Sequence, residues 1–154
     1  MNIIDITDRF KDNAHKVSKK VIWHWTGGNT ASGAIKWLDD REDVDGDGIG
    51  DGTIAYNYII DKNGDVYMLG NPKNTWFHNT GLGSEYDKDT ISISLVCRGK
   101  KDSFTEAQIE SSKRLYSVLK CLYQIEINTH HASINLHKQD FPDKTWVDFK
   151  KKII

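Results

Sequence analysis

The stretch KVIWHW, residues 20 to 25, decides how the chain is organised. Its residues are mostly β-branched or aromatic, and the turn-forming sequence TGG follows directly, so the pattern predicts a strand. His24 lies near the end of that strand, and a helix is predicted after it, over residues 31 to 41. A side chain capable of binding or catalysis is thereby placed near the end of a strand.

Two further segments predict a β-hairpin. Residues 54 to 61 (IAYNYIID) and 65 to 69 (DVYML) are strand-like, and the Asn63-Gly64 pair between them favours a tight turn. Residues 90 to 96 (TISISLV) alternate polar and apolar side chains, which predicts a strand with only one fully buried face.

The longest predicted helix follows a capping box at residues 103 to 106 (SFTE). Residues 125 to 129 (IEINT) then predict a short strand that ends at His130, and residues 146 to 152 predict a C-terminal helix. The apolar stripe of the long helix comprises Ile109, Leu115, Val118, Leu119 and Leu122. We therefore expect an α/β fold with a central mixed β-sheet flanked by helices.

Length and composition exclude several classes of function. With 154 residues, 38% of them hydrophobic and 28% charged, the chain is predicted to form one domain with its own core. Its net charge of −1 provides no basic field for nucleic acid, and its apolar runs are far shorter than the roughly 18 residues of a membrane span. The N-terminal residues lack the apolar region of a signal peptide, so we expect synthesis in the cytoplasm. We also expect a monomer.

Histidines at predicted strand ends are candidates for a metal site. His24 and His130 end separate strands, and Asp140 follows ten residues after His130. Side chains at strand ends can converge, and two imidazoles with one carboxylate bind Zn²⁺ while leaving a position open for water. A single histidine in an apolar strand, however, is more often a hydrogen-bonded core residue.

The order of several segments resembles the zinc-dependent N-acetylmuramoyl-L-alanine amidases of the amidase-2 class. This family includes phage lysozyme-type amidases and peptidoglycan recognition proteins. The resemblance spans nearly the whole chain, in family order: VIWHWTGG (21 to 28), IAYNYIIDKNGDVY (54 to 67), WFHNTG (76 to 81), ISISLV (91 to 96) and INTHHASINLHKQDFP (127 to 142).

The resemblance implies a zinc site formed by His24, His130 and Asp140. His131 is the main rival ligand, because adjacent side chains on a strand face opposite ways and only one can point at a metal. His130 is preferred because it occupies the family's Thr-His position and lies ten residues before Asp140, as the pattern requires. Phe141 separates Asp140 from the proline of that pattern, which leaves Asp143 as an alternative ligand.

Tyr56 and Lys138 are the catalytic partners that the resemblance implies. Zn²⁺ lowers the pKa of a bound water and polarises the amide carbonyl. Lys138 then suits stabilisation of negative charge on the tetrahedral intermediate, and Tyr56 suits proton handling as a neutral hydrogen-bond donor. Substrate-binding residues are predicted at His78, Trp25 and Trp76, although each tryptophan is also a candidate core residue.

An aspartate-rich insertion at residues 43 to 52 is a possible calcium loop. Carboxylates at Asp43, Asp45, Asp47 and Asp51, with a glycine after the third of them, resemble the first part of an EF-hand loop. Ile54 stands where the bidentate glutamate would be, so a solvated acidic turn is an equal alternative. This insertion is not part of the family pattern.

The leading functional hypothesis is an enzyme that acts on peptidoglycan. The resemblance implies a zinc amidase cleaving between N-acetylmuramic acid and L-alanine. Because the sequence shows no linker and no second composition regime, we expect residues 1 to 154 to form its catalytic domain, with no separate cell-wall-binding domain. We expect a phage or prophage endolysin that is made in the host cytoplasm and reaches the bacterial wall after release. The alternatives are a non-catalytic peptidoglycan-recognition module and, on the acidic loop alone, a Ca²⁺-binding interaction protein.

Overall fold

A computed structural model describes residues 1–7, 18–40, 56–72, 87, 89–99, 102–137, 140–141 and 143–154. Its strands are β1 (Ile3–Asp5), β2 (Lys20–Trp25), β3 (Tyr58–Ile60), β4 (Val66–Met68), β5 (Thr90–Leu95) and β6 (Ile127–His130). Its helices are α1 (Ala31–Asp40), α2 (Glu106–Leu122), α3 (His131–Ile134) and α4 (Asp143–Ile153).

The strands form one six-stranded mixed sheet in the order β1-β4-β3-β5-β2-β6. The β3–β4 pair is antiparallel and every other neighbouring pair is parallel, which confirms the predicted mixed sheet. β2 has its predicted bounds, and the predicted hairpin turn contains Gly64 at φ 87. An added Cβ at Gly64 would lie 2.9 Å from the Ala107 carbonyl oxygen, so the turn also packs closely against α2. The edge strand β1 was not predicted.

The β5 strand is buried on both faces, so the prediction of one fully buried face is wrong. Ile91, Ile93 and Leu95 point into the larger core cluster, while Ser92 and Ser94 point to the other face and are also buried. The small serine side chains allow other groups to approach that face closely. The sheet therefore has a polar strip at its centre.

Two core clusters cover the two faces of the sheet. The larger cluster joins β2, β3 and β5 to α2 and α4 through residues such as Trp23, Leu115, Leu119 and Phe149. The smaller cluster joins Ile35 and Leu38 of α1 to Ile59 and Leu69. Most of the apolar burial thus lies on the α2/α4 face. No helix in the described part of the chain is long and apolar enough to cross a membrane.

The start of α2 differs from its predicted capping box. The cap is Thr105, whose side chain accepts from the backbone N–H of Gln108, while the Gln108 side chain accepts from the Thr105 N–H. Gln108 is fully buried, and its Nε2 donates to the carbonyls of Ile60 and Val96 at 3.2 and 3.0 Å. The buried face of α2 is accordingly rotated from the predicted stripe, and Val118 and Leu122 are exposed.

Replacing Gln108 with methionine should lower the free energy of unfolding by about 1–3 kcal/mol, because buried carbonyls and a helix cap lose their partner. Urea denaturation measures this change. The matched control is Gln124→Met at an exposed site, which should change stability by less than about 0.5 kcal/mol. An equal effect of the two substitutions would contradict the bridging role of Gln108.

Stability should fall at alkaline pH because of Tyr58. Burial, with smaller contributions from Tyr123 and Asp5, raises the pKa of Tyr58 well above its ordinary value of 10.0. The unfolded chain therefore releases the phenol proton first, so this stabilisation is present below about pH 10 and is lost as the pH rises further. Urea midpoints measured from pH 8 to about 11 should fall less steeply for Tyr58→Phe than for the wild type. Identical slopes would exclude this contribution.

Candidate metal centre

The β2 strand sends alternate side chains to opposite faces of the sheet, and this places His24. Trp23 enters the larger core cluster, so the next residue along the strand faces the other side. There His24 is 1% exposed and pairs in register with Ser94 of β5. A small neighbour on this polar strip leaves room beside the imidazole.

Three side chains from separate elements converge at this point. His24 Nδ1 lies 3.1 Å from both His131 Nδ1 and Asp140 Oδ2, and His131 Nδ1 lies 2.8 and 3.0 Å from the two carboxylate oxygens of Asp140. β2 supplies the first residue, α3 the second and the segment before α4 the third. One nitrogen or oxygen from each residue lies within 4.8 Å of the others, as a metal-binding cluster requires.

The second histidine of this cluster is His131, so the structure corrects the prediction of His130. β6 pairs with β2 so that His130 lies opposite Trp23, and paired residues of neighbouring strands share a face. The His130 ring consequently enters the larger cluster, 5.3 Å from Trp146 and 6.5 Å from Phe141 between ring centroids. His131 begins α3 on the other side and reaches His24.

Asp140 is held in its ionised form by the two histidines. Partial burial alone would raise the pKa of its carboxyl, but hydrogen bonds and charge interactions with His131 and His24 bring the pKa well below its ordinary value. The carboxylate side chain is 19% exposed, whereas both imidazoles are almost completely buried. The carboxylate oxygens and the two Nδ1 atoms therefore face one another in a partly enclosed site.

Tyr56 lies next to this cluster, just before β3. Its ring centroid is 5.2 Å from that of His24, with the rings tilted by 53°. The side chain of Asn57 holds the backbone here: its Nδ2 donates to the Gly70 carbonyl, and its Oδ1 accepts from the Ser92 N–H. The buried asparagine thus connects the tyrosine segment to the polar strip of β5.

Several predicted site residues lie away from this cluster or outside the described residues. Trp25 is half-buried, and its ring stacks on Phe141 at 6.2 Å, on the α2/α4 side of β2 and away from His24. Its predicted contact with substrate stays a prediction. Asp143 begins α4, and its side chain is not described. Outside the described residues lie Lys138, His78 and Trp76, together with Asp43, Asp45, Asp47 and Asp51 of the proposed calcium loop.

The donor set and its spacing fit a zinc ion. Tetrahedral ligands at Zn²⁺ distances of about 2.0–2.2 Å would lie about 3.3–3.5 Å from each other. The separations of 2.8 to 3.1 Å among the closest cluster atoms need to widen by only a few tenths of an ångström. His24, His131 and Asp140 would hold the ion, and three protein ligands are the number found in catalytic zinc sites.

Comparison with known families assigns the chain to a class of enzyme. The N-acetylmuramoyl-L-alanine amidase family Amidase_2 matches residues 13–147, which is most of the chain. The chain belongs to this family, as its resemblance implied. Its enzyme class is therefore that of the N-acetylmuramoyl-L-alanine amidases, which are hydrolases. A comparison with curated protein sequences finds no match.

Solved structures share the same fold over nearly their whole length. The amidase LysC from Clostridium intestinale URNW is 17% identical with a TM-score of 0.77, and 99% of this chain covers 97% of LysC. The ectodomain of the Drosophila transmembrane receptor PGRP-LCa is 17% identical with a TM-score of 0.74, at coverages of 97% and 96%. The endolysin of Thermus scotoductus MAT2119 bacteriophage Ph2119 is 14% identical with a TM-score of 0.70, at 99% of both chains.

His131→Ala should abolish tight zinc binding, whereas His130→Ala should leave it intact and lower the melting temperature. The first substitution removes one of three converging donors, and the second leaves a gap among core aromatic rings. Zinc content after equilibrium dialysis, with melting followed by circular dichroism, separates the two effects. Zinc loss only in His130→Ala would contradict the assignment.

Proposed function

We propose that the chain is a zinc-dependent amidase that hydrolyses the bond between N-acetylmuramic acid and L-alanine in peptidoglycan. The convergence of His24, His131 and Asp140 carries this proposal. Zinc bound by these residues supplies Lewis acidity for water activation and for polarisation of a carbonyl. Peptidoglycan is the substrate class that membership of the amidase family supports.

The two histidines and the carboxylate prepare the site before substrate arrives. Both imidazoles are buried, and the Asp140 carboxylate lies within hydrogen-bond distance of each. Because metal ligands must be deprotonated, zinc binding here would release any proton that the two Nδ1 atoms carry. The partial exposure of Asp140 marks the side of the cluster that is open to solvent.

Tyr56 is the proton-handling residue in this proposal. Its ring lies against His24, on the edge of the site. A neutral phenol there donates a hydrogen bond to the oxygen that gains charge or to the departing amine, which must be protonated before it leaves. Lys138, two residues before Asp140 in sequence, is proposed to stabilise the negative charge of the tetrahedral intermediate. His78 and Trp76 are proposed to contact the substrate.

An endolysin role is proposed for the biological setting. Two of the similar structures are named as endolysins, from Clostridium intestinale URNW and from bacteriophage Ph2119. In this role the protein is made in the host cytoplasm and acts on the wall after release, as a monomer. Ca²⁺ binding at residues 43 to 51 is a separate proposal, in which the ion orders that acidic loop and takes no part in the chemistry.

Tyr56→Phe should keep its zinc and lose about 10²–10⁴-fold in turnover of purified sacculi, because only the hydroxyl is removed. The readout is the release of free L-alanine amino termini. The control is Tyr67→Phe on β4, whose ring packs against the same smaller cluster as Tyr56 and should leave turnover unchanged.

Two results would contradict the proposal. Wild-type protein that binds sacculi without releasing L-alanine termini would indicate recognition without catalysis. Full activity after removal of zinc with a chelator would exclude the metal-dependent mechanism, whatever the outcome for Tyr56.

A further inference from the structure

Phe141, the residue directly after Asp140, has an unusual backbone. Its φ of 57 lies in the left-handed region, and among the described residues no other non-glycine residue has a positive φ. A bulky aromatic residue in this region is strained, and such conformations persist only where the surroundings enforce them. The strain lies next to a proposed metal ligand.

The surroundings of Phe141 consist of aromatic rings from several elements. Its side chain is fully buried. Phe104 stacks on it with centroids 5.1 Å apart, and Phe149 and Trp146 of α4 meet it edge-on at 5.1 and 5.9 Å. The half-buried Trp25 stacks on it at 6.2 Å. The ring is therefore fixed by β2, α4 and the segment that precedes α2.

Two consecutive side chains consequently serve opposite faces of the sheet. Asp140 reaches the histidines on the polar face, while Phe141 belongs to the larger core cluster on the α2/α4 face. In an ordinary extended segment, neighbouring side chains point to opposite faces while φ stays negative. The positive φ of Phe141 is therefore an additional turn of the chain, at the point where the carboxylate must reach His24 and His131.

We propose that Phe141 is a positioning residue that aims the Asp140 carboxylate at the metal. Its ring is anchored in the aromatic core, and this anchor enforces the backbone turn that presents Asp140. The inference rests on the proposed zinc centre. A positioning role differs from an ordinary core role, in which loss of the ring would lower stability without a specific effect on metal affinity.

The test compares zinc affinity in three variants by chelator competition under conditions where each is folded. Phe141→Ala should weaken zinc binding about 10–100-fold, the range expected when support of a metal ligand is lost. Phe141→Leu keeps an apolar side chain but loses ring stacking, so its affinity should fall by less. Leu119→Ala removes a buried side chain of the same cluster at a position outside the ring contacts of Phe141 and should bind zinc as the wild type does.

A second readout is the visible spectrum of the Co²⁺-substituted proteins, which reports ligand geometry without catalysis. It should change in the Phe141 variants and not in Leu119→Ala. If Phe141→Ala does not fold, the comparison of Phe141→Leu with Leu119→Ala decides. Equal zinc affinity and equal spectra in those two would overturn the positioning role while the zinc centre stands. A wild-type protein that binds no zinc would overturn the zinc centre and this inference together.

Discussion

The pairing of β2 with β5 on one side and β6 on the other determines what each face of the molecule can do. Because side chains alternate along a strand, the register sorts neighbours: Trp23 and His130 enter the larger core, while His24 faces the opposite side with Ser94. A shift of one residue in this pairing would exchange the core and the site. The convergence of His24, His131 and Asp140 is thus a consequence of register as much as of residue type.

The two faces of the sheet differ in how much apolar and how much polar surface they bury. On the α2/α4 face, aromatic and aliphatic side chains pack into one large cluster. The other face buries Ser92, Ser94 and Asn57 beside the histidines, and burial of polar groups is costly unless they are hydrogen-bonded. Asn57 meets part of that need through Gly70 and Ser92. On the α2/α4 side, Gln108 links α2 to β3 and to the residue that follows β5.

Local sequence patterns predicted the elements that depend on local chemistry. The bounds of β2 and the hairpin at Asn63-Gly64 are confirmed, because a β-branched run and a turn-forming pair carry their own signal. The polar serines of β5 were assigned to a face that is not fully buried, since their pattern cannot show that a second layer covers them. For the same reason Gln108 was not recognised as a buried bridge.

Local sequence patterns cannot decide between His130 and His131 as the histidine that faces His24. Both histidines are adjacent at a strand end, and only the pairing with β2 decides which face each one occupies. His24 and Asp140 lie together with Tyr56 beside them, and their roles as ligands and catalytic partner stay predictions. The left-handed backbone at Phe141 had no signal beyond its unusual place between Asp140 and Pro142.

The zinc centre is tested most directly by anomalous X-ray diffraction at the zinc absorption edge, on crystals of the zinc-loaded protein. We predict one strong anomalous peak within bonding distance of His24 Nδ1, His131 Nδ1 and an oxygen of Asp140. A peak coordinated by His130, or no peak among these three side chains, would contradict it.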